Sequence, residues 1–195
     1  MEKYFPALKH LNLPNAITSM GMILGIIACY FLTQGNLRMA IICLFFAGVA
    51  DAIDGFVAAK LNQQTNFGRH LDSFVDFFTC CIIPVWMVFD LLGNNPVIVA
   101  AMIFYSLCGL WRLSYYNIKE ASKFFTGLPV PGSMMIVTIT IWCIIYYNIP
   151  AFVAAIVFFV VGSLMISGIK LPKYGWWQKA MGFMGLGFLF LVIFS

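Results

Sequence analysis

Residues 51–76 read DAIDGFVAAKLNQQTNFGRHLDSFVD and hold four of the chain's seven acidic residues, Asp51, Asp54, Asp72 and Asp76. Apolar runs flank the stretch on both sides. On a helix, positions i, i+3, i+4 and i+7 share one face. Asp51, Asp54, Gly55 and Ala58 have that spacing, and Gly68, Asp72 and Asp76 step by four. The polar run 62–67 is short, so the two helices are expected as antiparallel neighbours with two carboxylates from each converging. Carboxylates inside a membrane helix are costly and mark function by default.

The rest of the chain supplies the membrane. Its 195 residues are 63% hydrophobic and 9% charged, with a mean hydropathy of +0.96, which excludes a soluble domain. The fold class expected is all-α, a polytopic transmembrane helix bundle. Six spans are predicted, at about 15–33, 37–61, 69–92, 97–118, 132–147 and 151–169. A last apolar run, 180–195, is about the minimum length for a span and adds a seventh or a partial one. The whole reads as one membrane domain, 1–195. It comprises an interfacial segment 2–13, a six-span core 15–169, and a C-terminal interfacial stretch and apolar segment, 170–195.

Basic residues set the orientation. Lys3, Lys9, Lys60, Arg69, Lys119, Lys123, Lys170, Lys173 and Lys179 fall on one side of a six-span arrangement, and Arg38 falls on the other. The positive-inside bias makes that side cytoplasmic, with the N-terminus and the acidic stretch facing it. The cell's inner membrane is the expected location if the source is bacterial. Dispersed basic residues without aromatic interleaving argue against nucleic acid. The six cysteines all lie in apolar runs with no CxxC pair, and read as packing residues.

Four carboxylates in a low dielectric must protonate or bind cations. Hard oxygen ligands in this number suit Mg²⁺ or Mn²⁺, as a pair of ions. Gly55, Ala58 and Gly68 keep the same faces bare for a bulky ligand. Carboxylate-held metal beside an open groove is an arrangement for binding a pyrophosphate and displacing at phosphorus. The competing reading makes these acids helix-end charges or the proton relay of a transporter. No HisxxGlu or CxxC site is present, which disfavours zinc.

The spacing D-x2-D-G-x2-A-R-x8-G-x3-D-x3-D, matched by Asp51, Asp54, Gly55, Ala58, Gly68, Asp72 and Asp76, resembles the signature of the CDP-alcohol phosphatidyltransferase family. Flanking segments GRHLDSFVDF (68–77), CGLWRLSYYN (108–117), FTGLPVP (125–131) and GSLMISGIKLPKY (162–174) are similar to the branch whose acceptor is serine. The resemblance runs from about Pro14 to Tyr174. It implies transfer of a phosphatidyl group from CDP-diacylglycerol to a small polar alcohol, L-serine favoured, with release of CMP. It also implies that Asp51, Asp54 and Asp72 hold the metal, with Asp76 completing the shell and serving as general base.

Asn15 and Thr18 match a family segment on the nucleotide side, although PNxxT is also an ordinary helix start. Arg112 is expected to bind the acceptor's carboxylate or a phosphate oxygen, against the simpler reading of a snorkelling side chain. Arg69 is expected on the donor's phosphates, with Gly55, Ala58 and Gly68 lining the donor's place. Ala59 breaks the pattern, because family members carry arginine there. Either Arg69 or Arg112 supplies the missing charge, or the protein is slow or selects another donor.

Alternatives are the same chemistry with glycerol 3-phosphate or an inositol phosphate, or a catalytically impaired lipid-binding relative. The fifth span has no basic residue, which favours a less charged acceptor. Membrane lipids and a second copy, as a homodimer, are the other expected partners.

Overall fold

The structure, a computed structural model, describes residues 6–92, 95–119, 124–172 and 176–194. Side-chain caps start the long helices. Asn12 accepts from the Asn15 N–H at 3.0 Å to open α1 (Leu13–Thr33), and Asn36 accepts from Met39 at 3.1 Å to open α2 (Leu37–Lys60). Thr65 Oγ1 accepts from the Gly68 N–H at 3.0 Å and starts α3 (Asn66–Asp76), three residues before the expected start of the third span. A wide π-helical stretch, Phe77–Ile82, joins α3 to α4 (Ile83–Leu92). Asn95 caps α5 (Pro96–Ile118), accepting from Val97 at 2.9 Å. Then follow α6 (Val130–Tyr146), with Pro131 in its first turn, α7 (Phe152–Met165) and α8 (Trp176–Phe194).

Among the described residues, four helical stretches, α1, α2, Asn66–Leu92 and α5, are long and apolar enough to cross a membrane. The fifth and sixth expected spans come out as shorter apolar helices of 17 and 14 residues. At 1.5 Å per residue they are only about 25 and 21 Å long. Large apolar side chains such as Phe74, Ile118 and Phe183 point outward, at 70–82% exposure, as on a lipid-facing surface. The all-α expectation needs one amendment. Strands β1 (Phe124–Thr126) and β2 (Lys170–Pro172) pair antiparallel, Thr126 opposite Lys170. Gly127 makes the closure possible: its φ is 74°, its N–H donates to Ile169 O at 2.8 Å, and a Cβ there would strike the Met165 carbonyl oxygen.

The wide turn has an identifiable cause. Pro84 has no N–H, so the carbonyl of Cys80, four residues earlier, loses its helical donor. The helix dilates, Ile83 N–H bonding Phe78 O five residues back. Tyr105 Oη on α5 donates to the freed Cys80 carbonyl at 2.9 Å. Tyr105 Oη also lies 3.2 Å from Ser133 Oγ on α6, which donates to Val130 O at 2.7 Å. Asp76 is the residue immediately before this turn, which Tyr105 of α5 braces through the Cys80 carbonyl.

The core lies around Tyr105, Phe158, Ile83, Met87 and Val137, all essentially inaccessible. Close approach of α5 and α7 rests on Gly162, where a Cβ would lie 3.3 Å from Tyr105 Cα. All six cysteines are free. Lys3 of the expected interfacial segment lies outside the described residues, as do Lys123 and Lys173. Pro6–His10 forms a 3-10 turn whose His10 ring stacks on Phe67 at 4.9 Å.

Candidate active site

Helix α1 packs along both α2 and α3, and a small space lies between the three at the carboxylate ends of α2 and α3. Across that space Asp51 meets Asp72 and Asp76, one carboxylate oxygen of each lying within 4.8 Å of the other two. Asp51 and Asp72 are half-buried and Asp76 is buried. Asp54, one turn beyond Asp51, is turned toward α1, where it accepts from Thr18 Oγ1. Three of the four expected carboxylates thus approach one another closely, and Asp54 lines the same small pocket beside them.

Small residues take two distinct parts here. Gly55 faces open space, with nothing within 4 Å of where a Cβ would stand. Gly68 instead admits a neighbour: a Cβ there would sit 2.7 Å from Asn15 Oδ1. Asn15 is buried, and its Nδ2 donates to His10 O at 2.7 Å. The start of α1, the N-terminal turn and the start of α3 are thereby pinned together beside Asp72.

A groove of about 1290 Å³ opens over the trio, lined by Asp51, Asp54, Asp72 and Asp76. Asn15, Thr18, Gly55, Ala58, Gly68, Arg69 and Arg112, the other residues singled out from the sequence, line it too. Arg69 is exposed at its mouth. Arg112 is 7% exposed, its guanidinium 4.9 Å over the Tyr116 ring, and its Nε has no hydrogen-bond partner among the described residues. A buried guanidinium donor left unpaired is expensive, and its position on the groove wall makes it an anion-binding group in waiting. Ala59 is exposed and forms no part of the groove lining.

Several contacts were not foreseen from the sequence. Asn117 Nδ2 donates to Ser73 Oγ at 3.0 Å, tying α5 to α3 one turn from Asp76. Both residues line the groove. Lys119 Nζ donates to Thr126 Oγ1 at 2.6 Å, anchoring β1 to the end of α5. Pro84 was the signal for the wide turn, and the polar positions of CGLWRLSYYN were the signal for the Asn117 contact.

Three carboxylate oxygens this close need a cation or protons between them, and a set of hard oxygen donors fits Mg²⁺ or Mn²⁺ better than a soft metal. The trio is thus a fitting site for a hard divalent ion.

Fold and site together define an integral membrane protein with a carboxylate centre inside its helix bundle. The sequence model of the CDP-alcohol phosphatidyltransferase family matches residues 11–162, the carboxylates and Arg112 included, and the chain belongs to that family and is a transferase. Members of the family are generally dependent on divalent metal. The chain is 33% identical to the CDP-diacylglycerol–serine O-phosphatidyltransferase of Bacillus subtilis over 165 residues, 83% of this chain and 90% of that one. It is 30% identical to the enzyme of the same name from Methanocaldococcus jannaschii, over 87% of this chain and 78% of that one. It is also 29% identical to the archaetidylserine synthase of Methanothermobacter thermautotrophicus, over 83% and 70%.

Proposed function

We propose that the protein transfers the phosphatidyl group of CDP-diacylglycerol to the hydroxyl of L-serine, giving phosphatidylserine and CMP, at the cytoplasmic face of the membrane. The observation that carries the reading is the Asp51–Asp72–Asp76 trio sharing one groove with buried Arg112, whose Nε has no hydrogen-bond partner among the described residues. Relatives named for serine transfer support the acceptor.

Asp51, Asp72 and Asp76 would hold a divalent ion, and Asp54 would serve a second. Bound Mg²⁺ or Mn²⁺ supplies neutralisation of the diphosphate charge and makes CMP a better leaving group. Arg69 and the start of α1, with Asn15 and Thr18, receive the nucleotide end of the donor. Arg112 holds the serine carboxylate through its guanidinium, whose Nε has no partner among the described residues. Asp76 takes the proton of the serine hydroxyl as the new O–P bond forms and the bond from phosphorus to the CMP oxygen breaks.

Acceptor choice follows from charge. No basic residue lies in α6, Val130–Tyr146, so Arg112 is the buried cation available at that wall. One guanidinium suits one carboxylate. A phosphorylated acceptor calls for several cations. The test is to incubate purified protein with CDP-diacylglycerol, Mn²⁺ and, in turn, L-serine, glycerol 3-phosphate and inositol phosphate. L-serine is expected to give the fastest CMP release, with phosphatidylserine as product. Faster release with either phosphorylated alcohol overturns the acceptor assignment.

A further inference from the structure

The groove does not end at the carboxylates. Its lining continues along α2 through Leu44 and Phe45 to Ile41, ten residues from Asp51, which is about 15 Å of helix. The opposite wall of this apolar limb comes from α8, which lies beyond the residues the family model matches. Gly182, Gly185, Leu186 and Leu189 line it, at the i, i+3, i+4, i+7 spacing of a single helix face.

Packing fixes how α8 lies. A Cβ at Gly185 would come within 3.2 Å of the Phe45 ring and 3.4 Å of Met135. Farther along, the Phe188 ring meets Trp142 edge-on at 6.2 Å. Met135 and Trp142 follow each other along α6, so α8 runs beside α6 in the same sense, away from the carboxylate end. Gly182 is then nearest the carboxylates and Leu189 is deeper. Gly182 has nothing within 4 Å of a notional Cβ. One cavity thus joins a charged end, with four carboxylates and two arginines, to an apolar limb. Such a cavity suits an amphiphile whose polar head reaches the cations at the carboxylates and arginines and whose apolar part enters the limb.

We propose that α8 is an acyl-chain gauge: the limb between α2, α6 and α8 receives an acyl chain of the lipid donor, and Leu189 sets how long a chain fits. The inference rests on the reading that the donor is CDP-diacylglycerol. Depth along α8 then corresponds to distance along the chain from the headgroup. A block near Gly182 is felt by donors of any length, whereas a block at Leu189 is felt only by long ones.

The test compares KM for dioleoyl and dioctanoyl CDP-diacylglycerol in mixed micelles. Leu189→Trp is expected to raise the dioleoyl-to-dioctanoyl KM ratio about tenfold, the equivalent of two buried methylenes lost. Leu189→Ala, which widens the limb, shifts the ratio the other way. Gly182→Leu raises both KM values and leaves the ratio near that of wild type. Phe183→Leu, on the lipid-facing side at 76% exposure, leaves the ratio alone. A ratio that neither Leu189 variant moves, or that Phe183→Leu moves as much, overturns the gauge while the donor assignment stands. A wild-type protein that turns over neither donor overturns both.

Discussion

Tyr105 Oη donates to the Cys80 carbonyl at 2.9 Å, the carbonyl that Pro84 leaves without a helical donor. Both partners are buried, so the bond compensates a defect that no water can reach. Tyr105→Phe keeps the ring against Phe158, 5.0 Å away, and removes only the donor. The unsatisfied carbonyl is expected to destabilise the fold by about 1–3 kcal/mol. Thermal unfolding in detergent should show a lower Tm, and Mn²⁺ should bind several-fold more weakly because Asp76 loses its anchored turn. An unchanged Tm would remove the Tyr105 bond from this role.

Thr18 Oγ1 donates to Asp54, which lines one small pocket with Asp51, Asp72 and Asp76. Thr18→Val keeps the shape and deletes the donor, while Thr18→Ser retains it. A buried hydrogen bond to a charged group contributes about 1.5–3 kcal/mol, so Thr18→Val should lose roughly tenfold or more in kcat/KM for CDP-diacylglycerol. Thr18→Ser should stay near wild type. Equal losses in both variants would point to packing rather than the hydroxyl.

Arg112 and Asp76 separate in steady-state kinetics. Arg112→Gln is expected to raise KM for L-serine by about tenfold or more, the scale of a lost charge-assisted contact. Its KM for CDP-diacylglycerol should change little. Asp76→Asn should abolish turnover and leave nucleotide binding measurable by CDP-diacylglycerol protection against unfolding. Turnover retained in Asp76→Asn would take the base role from it.

Ala59 sits exposed and off the groove wall, while Arg69 and Arg112 line the groove. An arginine added at an exposed position contributes at most about 1 kcal/mol. Ala59→Arg should therefore change CMP release by less than about fivefold. A larger gain would mean that the native site is short of a cation.

The sequence was most informative where caps and length left little choice. The limits of α1, α2 and α5 came within a residue or two, because Asn12, Asn36 and Asn95 each open a helix and apolar length does the rest. Convergence of Asp51 with Asp72 and Asp76 followed from helical spacing alone. The side-chain partner of Asp54 did not, since it depends on how α1 packs against α2. Gly68 illustrates the same limit: its missing Cβ admits Asn15 from another helix, a contact that no local pattern encodes. The β1–β2 pairing joins segments more than forty residues apart, and three-residue strands carry too little periodicity to read.

The central claim is that Asp51, Asp72 and Asp76 work as a divalent-metal centre for phosphatidyl transfer. The most direct measurement is CMP release from CDP-diacylglycerol and L-serine by chelator-stripped protein, before and after Mn²⁺ is restored, for wild type and Asp72→Asn. The account predicts no release from stripped wild type, full recovery with Mn²⁺, and no recovery in Asp72→Asn at the same Mn²⁺ concentration. Release that persists in stripped protein, or an Asp72→Asn variant that recovers like wild type, would contradict it.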